Sequence, residues 1–181
     1  MEERIVPERR SATAGSQEHP APRGTTVKTR IERGDRYSAP EVYRLEITLL
    51  EIVRGKEAWA RVKEQGVAGE VRAGFEYVLC RIRFGYFSGA REFPHSGEAY
   101  TISPEHFVAV AADGKTEFEG PSVSRQPQPA LIGTAFSVNE SREGWILLQL
   151  PEDGREVLLA FRREYAENRY GVWGPVWFQL Q

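Results

Sequence analysis

"GFEYVLCRIRFGYFSG" (74–89) decides how this chain folds. Val78, Cys80, Ile82, Phe84 and Tyr86 share one parity, while Phe75, Tyr77, Leu79, Arg81 and Arg83 share the other. Side chains of a strand alternate between two faces, so the first set reads as a core face and the arginines of the second point to water.

Similar signals extend in both directions. Upstream, "EVYRLEITLLEIV" (41–53) alternates through Tyr43, Leu45, Ile47 and Leu49, then slips at Leu49-Leu50, which predicts a bulge or burial on both faces. "TTVKTRIE" (25–32) reads as an edge strand. Downstream, "EAYTI" (98–102), "EGWILLQLPEDG" (143–154), "EVLLAFR" (156–162) and "VWFQL" (176–180) read as strands, with "TAFSV" (134–138) as a short edge strand. "HFVAVAADGKTEFEG" (106–120) predicts a hairpin, with Asp113-Gly114 suiting a two-residue type I′ turn. "PSVSRQPQPALIG" (121–133) is an irregular connection, because Pro127 and Pro129 cannot occupy a central strand.

"RGKEAWARVKEQG" (54–66) stands apart as a short helix. Ala58, Trp59 and Val62 fall at helical spacing, and Gly66 suits a C-terminal stop. A helix this short needs docking, and Trp59 is the expected anchor of a plug over an open end of the fold. Many short strands, turn signals between them and one helix describe an all-β fold, an antiparallel β-sandwich. The crossover helices of a parallel sheet are missing.

Composition bounds the function. The 181 residues are 40% apolar and 28% charged, with a net charge of −2. We expect one domain over 25–181, after a Pro/Ser/Ala/Glu/Arg-rich segment over 1–24 that reads as a disordered leader or linker. The interleaved charge argues against nucleic acid as a partner. No apolar run is long enough for a membrane-spanning helix, and residues 1–24 lack the apolar stretch of a signal peptide. Cys80 is alone, which removes an intramolecular disulfide and cysteine-based zinc sites, and it reads as a small buried hydrophobe.

Several pieces together resemble the telokin-like, immunoglobulin-like domains of unknown function found in bacterial secreted proteins and lipoproteins. They are "ITLLEIVRGKEAWARV" (47–62), "AGFEYVLCRIRF" (73–84), "HFVAVAADGKTEFEG" (106–120), "REGWILLQLPED" (142–153) and the aromatic strand "VWFQL". The likeness runs from about residue 25 to the end. It implies an immunoglobulin-like sandwich residing outside the cytoplasm, and it carries no catalytic residues.

The residues themselves hold no reactive constellation. His19, His95 and His106 have no metal-ligand spacing, "ADG" (112–114) and "EDG" (152–154) are turn chemistry, and Ser137 and Ser141 have no His or Asp arrangement beside them. The expectation is therefore a non-enzymatic, monomeric binding or spacer module, with no cofactor and no metal, facing a protein or glycan partner. Trp145 and Trp177 belong to strands and should lie in the core. Arg162, Tyr170 and Trp173, in the polar and aromatic C-terminal stretch, are the expected ligand contacts. A carbohydrate-binding module using those aromatics is the alternative.

Overall fold

The computed structural model describes residues 14–33, 41–89, 97–153, 155–162 and 174–181. Its strands are β1 (Thr26–Arg33), β2 (Glu41–Arg54), β3 (Phe75–Ser88), β4 (Tyr100–Thr101), β5 (Phe107–Ala111), β6 (Glu117–Phe118), β7 (Ala135–Phe136), β8 (Glu140–Pro151), β9 (Val157–Phe161) and β10 (Val176–Gln179), with one helix, α1 (Gly55–Glu64), between β2 and β3. One antiparallel sheet has the order β1-β2-β3-β8 and a second the order β10-β9-β5-β6, while β4 and β7 form a small pair of their own. The chain is an all-β sandwich.

Its core is made by the parity read from 74–89. Val78, Cys80, Ile82, Phe84 and Tyr86 of β3 and Tyr43, Leu45, Ile47 and Leu49 of β2 meet Phe107, Ala109, Val157, Leu159, Phe161, Val176 and Phe178 of the opposite sheet. Phe84 is the hub, with ring centroids of Phe136 at 5.0 Å, Phe161 at 5.6 Å and Tyr100 at 5.8 Å. Each fully buried aliphatic or aromatic side chain contributes about 1.5–3 kcal/mol, so this interlocked set holds the sheets together.

The slip at Leu49-Leu50 is a bulge: the β2–β3 register shifts between Leu49 and Glu51. The extra residue reverses the parity of β2. Ile52 packs on the inter-sheet core, and Val53 joins a second cluster on the outer face. Glu51 thereby turns outward to Arg61 Nη1 at 3.1 Å and Arg81 Nε at 3.4 Å.

That outer cluster corrects the plug expectation. α1 lies flat on the outer face of the first sheet, burying Ala58 and Val62 against Val53, Tyr77, Leu79 and Leu147, rather than closing an end of the sandwich. Trp59 is only half-buried, its ring tilted on Tyr77 at 5.3 Å with the Lys63 ammonium 5.5 Å from its centroid. The small residues Ala58 and Val62 face the sheet, so the indole lies at the helix flank. The helix stops as its sequence indicated. Gly66 takes a left-handed φ of +65°, and Gly66 N–H donates to Lys63 O (2.8 Å) and Val67 N–H to Val62 O (3.2 Å).

Three other expectations change. Residues 14–24 run along the edge of β10: Trp177 N–H donates to Gly15 O, Ala21 N–H to Trp177 O, and Gln179 N–H to Ala21 O, with Ala21 fully buried. Residues 14–24 therefore belong to the fold, because β10 has an open edge that an extended strip of chain satisfies; residues 1–13 lie outside the described residues. Trp145 is half-buried on the outer face of the first sheet, between the guanidinium groups of Arg61 and Arg81 at 5.8 Å and 5.9 Å. Trp177, by contrast, is buried as expected, in a small core cluster with Val110, Leu158 and Ala160. Finally, Asp113 has no left-handed φ, so the β5–β6 turn is not type I′. The Asp113 carboxylate instead accepts the N–H groups of Lys115 (2.8 Å) and Thr116 (3.1 Å), which stabilises a longer loop.

Candidate functional site

β8 ends the first sheet and β6 ends the second, and on that side of the sandwich a cleft of about 400 Å³ opens between them. Its apolar floor comes from Phe107 and Ala109 of β5, Phe118 of β6, Ile132, and Ile146 and Leu148 of β8. Phe118 is held at 6.4 Å, edge to face, by Phe75 at the start of β3.

The outer edge of β8 is partly covered by the proline-rich connection. Trp145 N–H donates to Pro129 O (2.7 Å), and Leu131 N–H donates to Trp145 O (3.0 Å). Gly144 makes this approach feasible, for a Cβ there would stand 2.8 Å from the Leu131 nitrogen. One bridge later the covering strip leaves. Thr134 N–H turns back to Leu131 O (3.2 Å), Gly133 takes a φ of +82°, and Gly133 N–H donates to Ile102 O (2.7 Å), leading the chain away into β7.

The departure leaves an opening in the hydrogen-bonding pattern. In an antiparallel ladder the main-chain groups of alternate residues point to opposite sides. Trp145 faces away from β3, so Leu147 and Gln149 do too. Neither has a main-chain partner for those outward groups among the described residues. Their side chains lie on the outer face of the sheet, Leu147 beneath α1 and Gln149 accepting the Arg72 N–H at 2.9 Å. What they present to the cleft is therefore main chain. The side-chain oxygen of Gln126, on the cleft wall, is buried and also takes no hydrogen bond among the described residues.

The rim is acidic. Among the described residues Glu105, Glu117 and Glu119 line it, all exposed, against the guanidinium of Arg162. Glu105 sits on the single turn Pro104–His106, whose geometry is fixed where Ser103 N–H donates to His106 Nδ1 at 3.0 Å and the imidazole stacks on Tyr100 at 5.5 Å. Hydrogen bonding from the Ser103 hydroxyl, and then from its own backbone N–H, holds the Glu105 carboxyl below the usual glutamate value. It is an anion at neutral pH.

Arg162 was expected at a site, and it lines this cleft. Its backbone N–H donates to His106 O at 2.7 Å, and its guanidinium pairs with Glu117. Tyr170 and Trp173 lie outside the described residues, as does His95. No family model, curated protein or solved structure matches the chain.

Other chemistry-bearing residues do not gather at the cleft. Cys80 is fully buried in the core, and burial pushes its thiol up to about 12. Among the described residues no three His, Cys, Asp or Glu side chains converge as metal ligands, and no helix is long and apolar enough to cross a membrane. Sequence reasoning missed the cleft because its floor residues look like ordinary core. The one available signal was the proline-rich stretch beside a strand, which marks where an edge is covered only in part.

Proposed function

We propose that this chain is a non-enzymatic binding module that takes an extended ligand in the cleft between β8 and the β5–β6 hairpin. The observation that carries this reading is the pair of outward main-chain positions at Leu147 and Gln149, without partners among the described residues and set above an apolar floor. Strand addition to an exposed sheet edge supplies main-chain hydrogen bonds, and side-chain pockets beside the edge supply selectivity. Arg162 keeps its expected role as a contact, now as the cationic part of the rim. An immunoglobulin-like identity and a setting in an exported or surface-associated protein are part of the proposal, supported by the family resemblance alone.

Phe118 tests the site. It lies half-buried at the margin of the core, on the two-residue strand β6 and against Phe75, so Phe118→Ala should lower stability while the two sheets still form, which circular dichroism checks alongside binding. The variant should lower the affinity for any extended peptide that the chain binds. Undiminished binding would place the site elsewhere.

A further inference from the structure

We infer that the occupant of the cleft is an extended segment of a partner protein that carries apolar and basic side chains on one face, added as a strand to the outer edge of β8. The inference rests on the binding reading above and names the class of ligand.

Three features select that chemistry. The first is the main-chain edge. Leu147 and Gln149 offer outward N–H and C=O groups where the Pro129–Leu131 strip has turned away, and only an extended backbone carries complementary groups at a matching spacing. The second is the floor: Phe107, Phe118, Ile132, Ile146 and Leu148 receive the apolar side chains that a strand projects to one face. The third is charge. Arg162 is engaged by Glu117, which among the described residues leaves Glu105 and Glu119 without a paired cation on the rim and the carboxamide oxygen of Gln126 an acceptor without a donor. An acidic ligand would meet two like charges; a basic one would meet two partners and an acceptor.

The strip over residues 129–131 shows that the edge accepts such an addition, since it already pairs with Trp145 as one bridge of a strand. The ligand continues the covering that this strip begins. Its basic side chains share the face that carries the apolar ones and reach past the floor to the rim, where exposed pairs set selectivity and association rate more than total affinity.

The test is a titration of the isotope-labelled full chain with short capped peptides, followed through its backbone amide resonances. In one peptide valine and lysine take turns at every second residue with threonine between them, a second has glutamate in place of lysine, and a third is the lysine peptide with alternate amides methylated on both edges in turn. The lysine peptide should shift Leu147, Gln149 and Phe118, bind about tenfold tighter than the glutamate peptide, and lose binding when the pairing amides are methylated. Its margin should shrink as ionic strength rises from about 0.01 M to about 1 M, the Debye length falling from about 30 Å to about 3 Å. It should also collapse in the double variant Glu105→Gln, Glu119→Gln, whose exposed sites leave the fold unaffected.

Equal or tighter binding of the glutamate peptide overturns the basic partner while leaving the cleft as a site. No shift at those amides with any peptide removes the cleft itself. Shifts of the same amides that depend on protein concentration alone would mean that a second copy of this chain fills the edge, and would also overturn the inference.

Discussion

Gly144 lies directly beneath Leu131, so close that a Cβ on the glycine would meet the Leu131 nitrogen at 2.8 Å and its Cα at 3.0 Å. Absence of a side chain at this position lets the proline-rich strip reach Trp145 and satisfy part of the β8 edge. A larger residue must push backbone, which cannot yield as a side-chain tip does. Gly144→Val should therefore destabilise the fold by about 1–3 kcal/mol, read as a lower urea midpoint at unchanged slope. It should also raise amide exchange at Leu131, whose hydrogen bond to Trp145 the substitution breaks.

The bulge in β2 gives a sharper test of register. Leu50 is the inserted residue between the Leu49 and Glu51 pairings. Deleting it removes the bulge and leaves Leu49 opposite Ile82, Glu51 opposite Arg81 and Ile52 opposite Cys80, so every side chain keeps its face. The deletion should therefore cost no more than the half-buried Leu50 side chain contributes, about 1–3 kcal/mol, and keep a single cooperative thermal transition. Loss of cooperative unfolding on this deletion would contradict the assigned register.

Tyr77 predicts a stabilising substitution. Its hydroxyl is buried beside Gly69 and has no hydrogen-bond partner among the described residues, and its phenol is held above the usual value chiefly by that burial, with Glu70 adding to it. A buried hydroxyl without a partner costs about 1–3 kcal/mol, so Tyr77→Phe should match or exceed the parent in stability, measured by equilibrium urea unfolding. A loss above about 1 kcal/mol would mean that the hydroxyl makes a bond that matters.

Alkaline pH should weaken the fold through Cys80. The thiol ionises at 9.0 in its ordinary state and at about 12 inside the core. Between those values the unfolded chain has lost a proton that the folded chain keeps, so stability falls as pH rises, by about 1.4 kcal/mol per pH unit within the window. Below 9 this contribution is fully present. Unfolding free energies at about pH 8 and about pH 10.5 should differ less in Cys80→Ala than in the parent, the buried tyrosines contributing the remainder to both.

Much of this architecture was legible in the sequence, and the reasons are local. The parity of Val78 to Tyr86 and of Tyr43 to Leu49 set the core face, the Leu49-Leu50 slip located the bulge, and Gly66 ended the helix. Each signal depends on neighbours in the chain. Where α1 would dock was not legible, because Ala58 and Val62 suit any apolar surface and the bulky Trp59 drew the reading to itself. Trp145 was misplaced for a related reason: it has the parity of Leu147, whose outer face looks apolar in sequence only because a helix covers part of it. The cleft was the least visible feature. It arises from where Leu131 leaves β8, and nothing in residues 143–151 records which alternate amides lack a partner.

The most direct measurement is backbone amide hydrogen exchange along β8, with and without the valine–lysine peptide. Without ligand, Ile146 and Leu148, paired with β3, should exchange slowly, while Leu147 and Gln149 exchange orders of magnitude faster; with saturating peptide, those two should become protected. Uniform protection along residues 146–149 without ligand, or no gain at Leu147 and Gln149 with it, would contradict an open β8 edge that binds an added strand.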